Sequence, residues 1–300
     1  MATILITGGS GLIGSALTGS LLASGHSVRH LGREARHTEG VHTFVWDPRM
    51  GRIDPSAVEG VDHIVHLAGA GIADKRWTST RVRELIDSRA ATSRLLMSAF
   101  TANEGTLISF VSAAGINYYG ARTEEHVFTE SDPPGTDTIG VISKEWEEAV
   151  DEWSSISRVV KLRTPIVLSS KGGALLKFAA PVRWGLGAPL GSGKQWMPWV
   201  HIDDLVRMYE HALFHTRMSG AYNANATDTV QNRTFINELS KALHRPCFLP
   251  AVPGVALKLA LGELATLLLE GSRASNEKLV ASGYGFQHPE LAGALKDLLQ

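Results

Sequence analysis

Three glycines at a spacing of three, Gly8, Gly11 and Gly14, follow directly on the apolar run Thr3-Ile4-Leu5-Ile6-Thr7. A helical pattern then begins, with Leu17, Leu21 and Leu22 on one face. Strand, glycine turn and helix in that order constrain the fold more than any other stretch. Gly8 permits the tight turn out of the strand. Gly11 lets backbone come close to a pyrophosphate, and Gly14 lets the helix pack on the strand. The helix N-terminus then offers free N–H groups and a positive dipole end to the phosphates. Gly8, Ser10, Gly11, Leu12 and Ile13 are therefore expected to line a dinucleotide.

The first half continues the alternation. Apolar runs at 27–31, 41–46, 62–67, 106–111 and 158–163 are separated by helical patterns, among them 81–100 and 144–153. Val-, Ile- and Leu-rich strands between helices predict a parallel sheet covered on both faces. The expected architecture is α/β, a doubly wound (Rossmann) parallel sheet with a smaller, mostly helical C-terminal substrate lobe. Residues 1–168 would form the cofactor domain, with 199–226 packing back on it. Residues 169–300 would otherwise form the smaller lobe.

Length and charge bound the rest. The 300 residues carry a formal net charge of −1, so no basic field holds nucleic acid or an anionic membrane by charge alone. One cysteine, Cys247, excludes an internal disulfide. The most apolar run, 255–269, is interrupted by Lys258 and Glu263 and is too short to span a bilayer. It reads as one buried or partner-facing helix. With no basic segment before the first strand, no secretory leader is expected. The expectation is a soluble, cytoplasmic protein with a small-molecule substrate, no nucleic-acid or membrane partner, and room for a homodimer.

The second strand selects the nicotinamide cofactor. An acidic residue at its end would accept from a ribose 2′-hydroxyl. Here Gly32-Arg33 stands there, with Arg36 just beyond and Glu34 one position late. An arginine fork suits a 2′-phosphate, which favours NADP(H) over NAD(H). Trp46 and Asp47, at the end of the third strand, lie where an adenine ring would pack or be bonded, and Trp46 as ordinary core is the competing reading. Leu67, Ala68 and Gly69 place small residues where a cofactor passes close to backbone. Arg89 would reach a cofactor phosphate or ribose with Glu84 as neighbour; a surface ion pair is the competing reading. His201 has no second His or Cys at ligand spacing, so no metal is expected. Asp203 or Asp204 is expected to cap the helix after it. Trp196 and Trp199 either stack on a substrate ring or simply pack, and Lys194 would meet a substrate phosphate.

These residues resemble the extended, atypical branch of the short-chain dehydrogenase/reductases, within it the NAD-dependent epimerase/dehydratase-like family that includes proteins labelled nucleoside-diphosphate-sugar epimerase. The resemblance rests on 7–14 (TGGSGLIG), Ala73-Asp74-Lys75-Arg76-Trp77, Tyr118-Tyr119-Gly120, Trp146-Glu147, the glycine-rich loop 185–195 and His201-Ile202-Asp203-Asp204. It implies a cofactor lobe, a smaller substrate lobe, and NADPH binding as in some members. It also implies that backbone at Ile166 passes the nicotinamide carboxamide, where Pro165 removes one N–H donor.

Catalysis departs from the pattern. The superfamily uses a Tyr-x-x-x-Lys pair and a strand-end serine or threonine. Alignment puts Thr138 at the tyrosine, Ile142 at the lysine and Ala114 near the serine. Candidate substitutes are Tyr118 or Tyr119 as proton donor, Ser112 as orienting hydroxyl and Lys144, or Lys75, as the tuning cation. The other reading gives Tyr118 and Tyr119 a structural role. Two functions follow: an NADP(H)-dependent oxidoreductase or epimerase on a small carbonyl, hydroxyl or nucleotide-sugar-like substrate, or an NADPH-binding regulator with little catalysis. Some members of the family labelled cell-division inhibitors suit the second.

Overall fold

The computed structural model describes every residue except Arg36, so the part expected of that arginine lies outside the described residues. The first half runs β1 (Thr3–Thr7), α1 (Leu12–Ala23), β2 (Ser27–Gly32), β3 (Val41–Asp47), β4 (Arg52–Ile53), β5 (His63–His66), α2 (Ser79–Ala102), β6 (Ser109–Gly115), β7 (Val127–Phe128), α3 (Thr138–Asp151) and β8 (Arg158–Thr164). The second half runs β9 (Ile166–Leu168), α4 (Ala174–Arg183), β10 (Trp196–Met197), β11 (Trp199–His201), α5 (Ile202–Phe214), β12 (Gly220–Asn223), β13 (Val230–Gln231) and α6 (Asn232–Ala242). It closes with α7 (Gly254–Leu261), α8 (Thr266–Leu269), β14 (Arg273–Ala274), α9 (Glu277–Ala281) and α10 (Leu291–Leu299).

The central sheet has eight strands in the order β12-β8-β6-β5-β1-β2-β3-β4. All pairs are parallel except β3 with β4. Strand order reverses between β1 and β5, and in such sheets the crevice at the carboxyl ends of those strands takes the ligand. Both faces are apolar. Ile4, Ile6, Val65, Val111 and Val160 pack with Leu17 and Leu21 of α1 and with Leu205, Met208 and Tyr209 of α5. Leu5, Leu31, Ile64 and Phe110 pack on the other face with Leu96, Phe100, Trp146 and Trp153. Strands buried on both faces explain why these runs read as continuous apolar stretches.

A third apolar cluster joins α4, α6 and α10 around Trp199 and Phe235. The 255–269 run is not one helix. Gly262, at φ +64°, ends α7 in a conformation open to glycine, and α8 follows a short 3-10 turn. No residue of α7 is buried. The α3 helix starts at Thr138, earlier than the 144–153 pattern, because the Asp137 side chain accepts from Gly140 N and caps it.

Candidate functional site

The glycine turn closes as its sequence demands. Gly8 sits at φ +72° and Gly11 N donates to Gly8 O at 3.0 Å. A Cβ on Gly14 would stand 2.4 Å from Gly8 O, so the helix cannot lie this close with any other residue. Gly11 is the N-cap of α1 and no side chain caps the helix. The first-turn N–H groups, on the residues Leu12 and Ile13 among them, therefore face the mouth of the β1/β5 crevice without a side-chain acceptor. Ser10 is exposed beside them.

Two buried histidines prop this turn. A Cβ on Gly9 would fall 2.5 Å from the His30 ring. His30 Nε2 bonds Thr18 Oγ1 at 2.7 Å, and Thr18 donates to Gly14 O at 2.7 Å. Burial holds the His30 pKa below its usual value. On the other side, Leu67 N and Ala68 N both donate to Thr7 Oγ1 at 3.1 Å, and Thr7 Oγ1 meets His66 Nδ1 at 2.9 Å. With its acceptor capacity taken by two amides, the Thr7 hydroxyl gives its own proton to Nδ1. His66 is fully buried and its pKa falls to about 4 through desolvation. It is a neutral strut for the Leu67–Gly69 backbone. Sequence reading missed both histidines, because nothing at positions 30 or 66 says which atoms lie against them.

Gly32 ends β2 and Arg33 is exposed just past it. Trp46 is buried among Leu5, Leu31 and Ile64, the core alternative. The Asp47 carboxylate accepts from Arg49 N and Met50 N and closes the turn after β3. Glu84 pairs with Arg81 at 2.7 Å, not with Arg89. Positions three apart share a helix face, and positions five apart do not. Arg89 is buried, donates to Leu85 O and Ala70 O, and lies 4.8 Å over the Trp146 ring. Its Nε has no partner, and its guanidinium carbon would be 3.0 Å from a Cβ on Gly69. Burial and the neighbouring Arg81 bring the Arg89 pKa down to about 10. An unpaired buried cation beside Gly69 fits an anionic group at that edge. Ile166 N donates to Pro198 O at 3.1 Å, so this amide is already used between β9 and the strand beside it.

The candidate proton-transfer residues are not gathered together. Ser112 is buried and donates to Ala113 O at 2.8 Å. Lys144 lies on the solvent face of α3, paired with Glu148 at 3.2 Å. Lys75 is exposed. Ile142 is buried with Ile139, Trp77, Leu85 and Leu264 in an apolar cluster joining α2 and α3 to the segment after α7. Tyr118 is half-buried, its ring 3.6 Å from the Arg163 guanidinium. Tyr119 is buried, donates to Asn223 Oδ1 at 2.7 Å and accepts from Arg163 at 2.8 Å. Desolvation pushes its phenol up to about 12. Tyr119 is thus a structural phenol, and Tyr118 keeps the more open position.

The His201-Ile202-Asp203-Asp204 stretch is a fastening. His201 Nδ1 accepts from Asp203 N at 3.1 Å and caps α5, the part expected of Asp203 or Asp204. A backbone amide on Nδ1 leaves the ring proton on Nε2, facing Asp297 at 3.2 Å. His288 stacks on this ring at 3.8 Å, and Asp203 lies nearby. Parallel rings do not aim lone pairs at one point, so the group is poorly shaped for a cation. Asp204 is fully buried and accepts from Gln287 N and His288 N, both at 2.8 Å, and from Tyr284 Oη. Trp199 Nε1 donates to Asp228 O and the ring lies in the core. Trp196 Nε1 donates to Glu124 O, with Arg273 4.9 Å over its ring. Lys194 is exposed on the glycine-rich loop.

Comparison with known proteins places this geometry. Residues 4–153 match the model of the NAD dependent epimerase/dehydratase family, and 252–298 match a domain of unknown function, DUF1731. The epimerase family protein Mb2239 of Mycobacterium bovis is 38% identical, over 98% of this chain and 96% of that protein. The human epimerase family protein SDR39U1 is 34% identical over 99% of both. A crystal structure of human SDR39U1 with NADPH superposes with a TM-score of 0.88 at 33% identity, covering 99% of each chain. A nucleoside-diphosphate sugar epimerase from Corynebacterium glutamicum superposes at 0.79 with 28% identity, over 99% of this chain and 58% of that one.

Proposed function

The chain belongs to the NAD-dependent epimerase/dehydratase family, and from that premise we propose that it binds NADPH across the carboxyl ends of β1 and β5 and acts as an oxidoreductase or epimerase of the extended short-chain type. Its substrate is a small carbonyl- or hydroxyl-bearing compound or a nucleotide-sugar-like one. The observation that carries the cofactor reading is the α1 N-terminus: no side chain caps it, and it sits on a turn that only glycine can make. Gly8, Ser10, Gly11, Leu12 and Ile13 hold the pyrophosphate by backbone. Leu67, Ala68 and Gly69 flank it, and Arg89 supplies a buried positive charge. Arg33 holds the 2′-phosphate. The NADPH in the human relative supports this choice.

When bound, the nicotinamide supplies the hydride chemistry, and the protein supplies orientation and polar contacts. Tyr118, beside the Arg163 cation, is the proton donor of this reading. Ser112 must give up its bond to the Ala113 carbonyl to orient a substrate oxygen.

A second reading has one specific observation in its favour. The slot expected for the catalytic lysine holds Ile142, sealed in apolar packing, while Lys144 points to solvent. That arrangement suits an NADPH-binding protein with little turnover.

Calorimetric titration with NADPH and NADH, on the wild type and Arg33→Asp, tests the cofactor. NADPH should bind tighter, and the variant should lose NADPH affinity far more than NADH affinity; equal losses refute the role of Arg33. NADPH oxidation over aldehydes, ketones and nucleotide sugars then separates the readings. Turnover that falls in Tyr118→Phe supports the enzyme, and binding without turnover supports the regulator.

A further inference from the structure

Large apolar side chains stand in solvent on one part of the substrate lobe. Trp184 and Leu186, past the end of α4, are 84% and 60% exposed, and Phe248 is 76% exposed. On α7, Val255 is 71% and Leu259 77% exposed. The two chain segments that carry them run side by side. Val252 N donates to Pro189 O, Gly191 N donates to Val252 O, and Cys247 Sγ meets Gly187 O at 3.6 Å. Single exposed apolar residues are ordinary, but a group of five with two aromatic rings marks an interaction surface.

The two chain stretches that carry these side chains hold cations and no carboxylate between Glu152 and Asp203, or between Glu238 and Glu263. Exposed cations on the two stretches include Lys177, Arg183, Lys194, Arg245 and Lys258. Among the described residues none of these five forms an ion pair. A chain of net charge −1 therefore carries two cationic stretches on this lobe that the total does not reveal.

We propose that this face of the substrate lobe docks peripherally on an anionic phospholipid bilayer. Trp184, Phe248 and the aliphatic tips enter the boundary between headgroups and acyl chains, where amphipathic rings are favoured. Arg183, Arg245 and Lys258 meet lipid phosphates, each adding attraction to the anionic surface. The basic rim argues against a second copy as occupant. A two-fold contact through this patch would set the same cations against one another. The proposal departs from the expectation drawn from net charge, because local charge, not the sum, decides adsorption within a Debye length.

Flotation of the full chain with vesicles tests the proposal. Vesicles of phosphatidylcholine with phosphatidylglycerol should carry the protein up, and those of phosphatidylcholine alone should not. Added salt should release it. Arg183→Ala/Arg245→Ala should weaken binding by about tenfold or more, and Trp184→Ala/Phe248→Ala should abolish it. Both variants should keep the wild-type unfolding midpoint and NADPH affinity, which separates this result from the cofactor reading. The proposal is overturned by absence of flotation on anionic vesicles, or by flotation that neither double variant reduces. It is also overturned by a solution dimer that Trp184→Ala/Phe248→Ala dissociates, or by retention of a polyglutamate peptide on this face without vesicle binding.

Discussion

Arg163 and Glu147 form a buried two-point ion pair, with Nε to Oε1 at 2.7 Å and an Nη to Oε2 at 3.0 Å. The same guanidinium lies over Tyr118 and bonds the Tyr119 hydroxyl, while Lys161 approaches Glu147 at 3.2 Å. That carboxylate neutralises Arg163 and fixes the guanidinium against which Tyr118 rests, while Lys161 also pairs with Asp151 at 2.7 Å.

Removing that carboxylate strands the Arg163 charge, while Lys161 keeps Asp151. Glu147→Ala should cost about 3–5 kcal/mol, the range for breaking a buried pair by deleting one partner. Chemical denaturation at neutral pH reads the loss. A change below about 1 kcal/mol would mean that water compensates Arg163.

The contact between Gly9 and His30 predicts a rescue. Gly9→Ala puts a methyl into the buried imidazole, so the ring or the turn must shift and NADPH should bind more weakly than to the wild type. In Gly9→Ala/His30→Ala the space is restored, and much of the affinity should return. Titration of both variants with NADPH is the check; equal loss in the two would show that His30 is not the obstacle.

His66 makes the protein acid-sensitive. Its pKa is about 4 folded against an ordinary 6.5. Between those values the unfolded chain binds a proton that the folded chain refuses. Stability is then complete above pH 6.5, falls as pH drops below it, and the loss reaches about 3 kcal/mol near pH 4. His30, His63 and His201 are shifted the same way by burial and add to the slope. Unfolding midpoints from pH 7.5 to 4.5 should fall more steeply for the wild type than for His66→Gln. Parallel curves would exclude His66 as the titrating group.

Asp204 anchors the C-terminal strap. Asp204→Ala leaves the amides of Gln287 and His288 without their carboxylate, at about 1.5–3 kcal/mol for each hydrogen bond to a charged acceptor. Amide exchange should rise in residues 284–299 and little in the central sheet. Uniform acceleration across the chain would show that the strap does not open on its own.

Much of the cofactor half was legible because its rules are local. The turn at Gly8, the close packing at Gly14 and the apolar strands follow from steric and burial constraints acting within a few residues. The 255–269 run was harder. Its composition suits a single helix, but Gly262 ends α7, and only packing decides that Leu264 turns inward while Leu259 stays in solvent. Glu84 and Arg89 looked like neighbours in sequence; the helix turned them apart and gave Glu84 to Arg81.

By itself, the sequence determined the parallel α/β sheet, the glycine turn and its uncapped helix, because backbone sterics and periodic burial are written residue by residue. It also exposed the departure at Thr138 and Ile142 from the usual catalytic pair. Only the tertiary structure decided which distant groups meet: His30 under Gly9, His66 behind Thr7, Glu147 on Arg163, Asp204 on the 284–288 segment. It also decided where charge gathers. The physical reason is shared. Ion pairs, buried hydrogen bonds and surface fields depend on distance and dielectric between side chains far apart in the chain, and no local pattern encodes that distance.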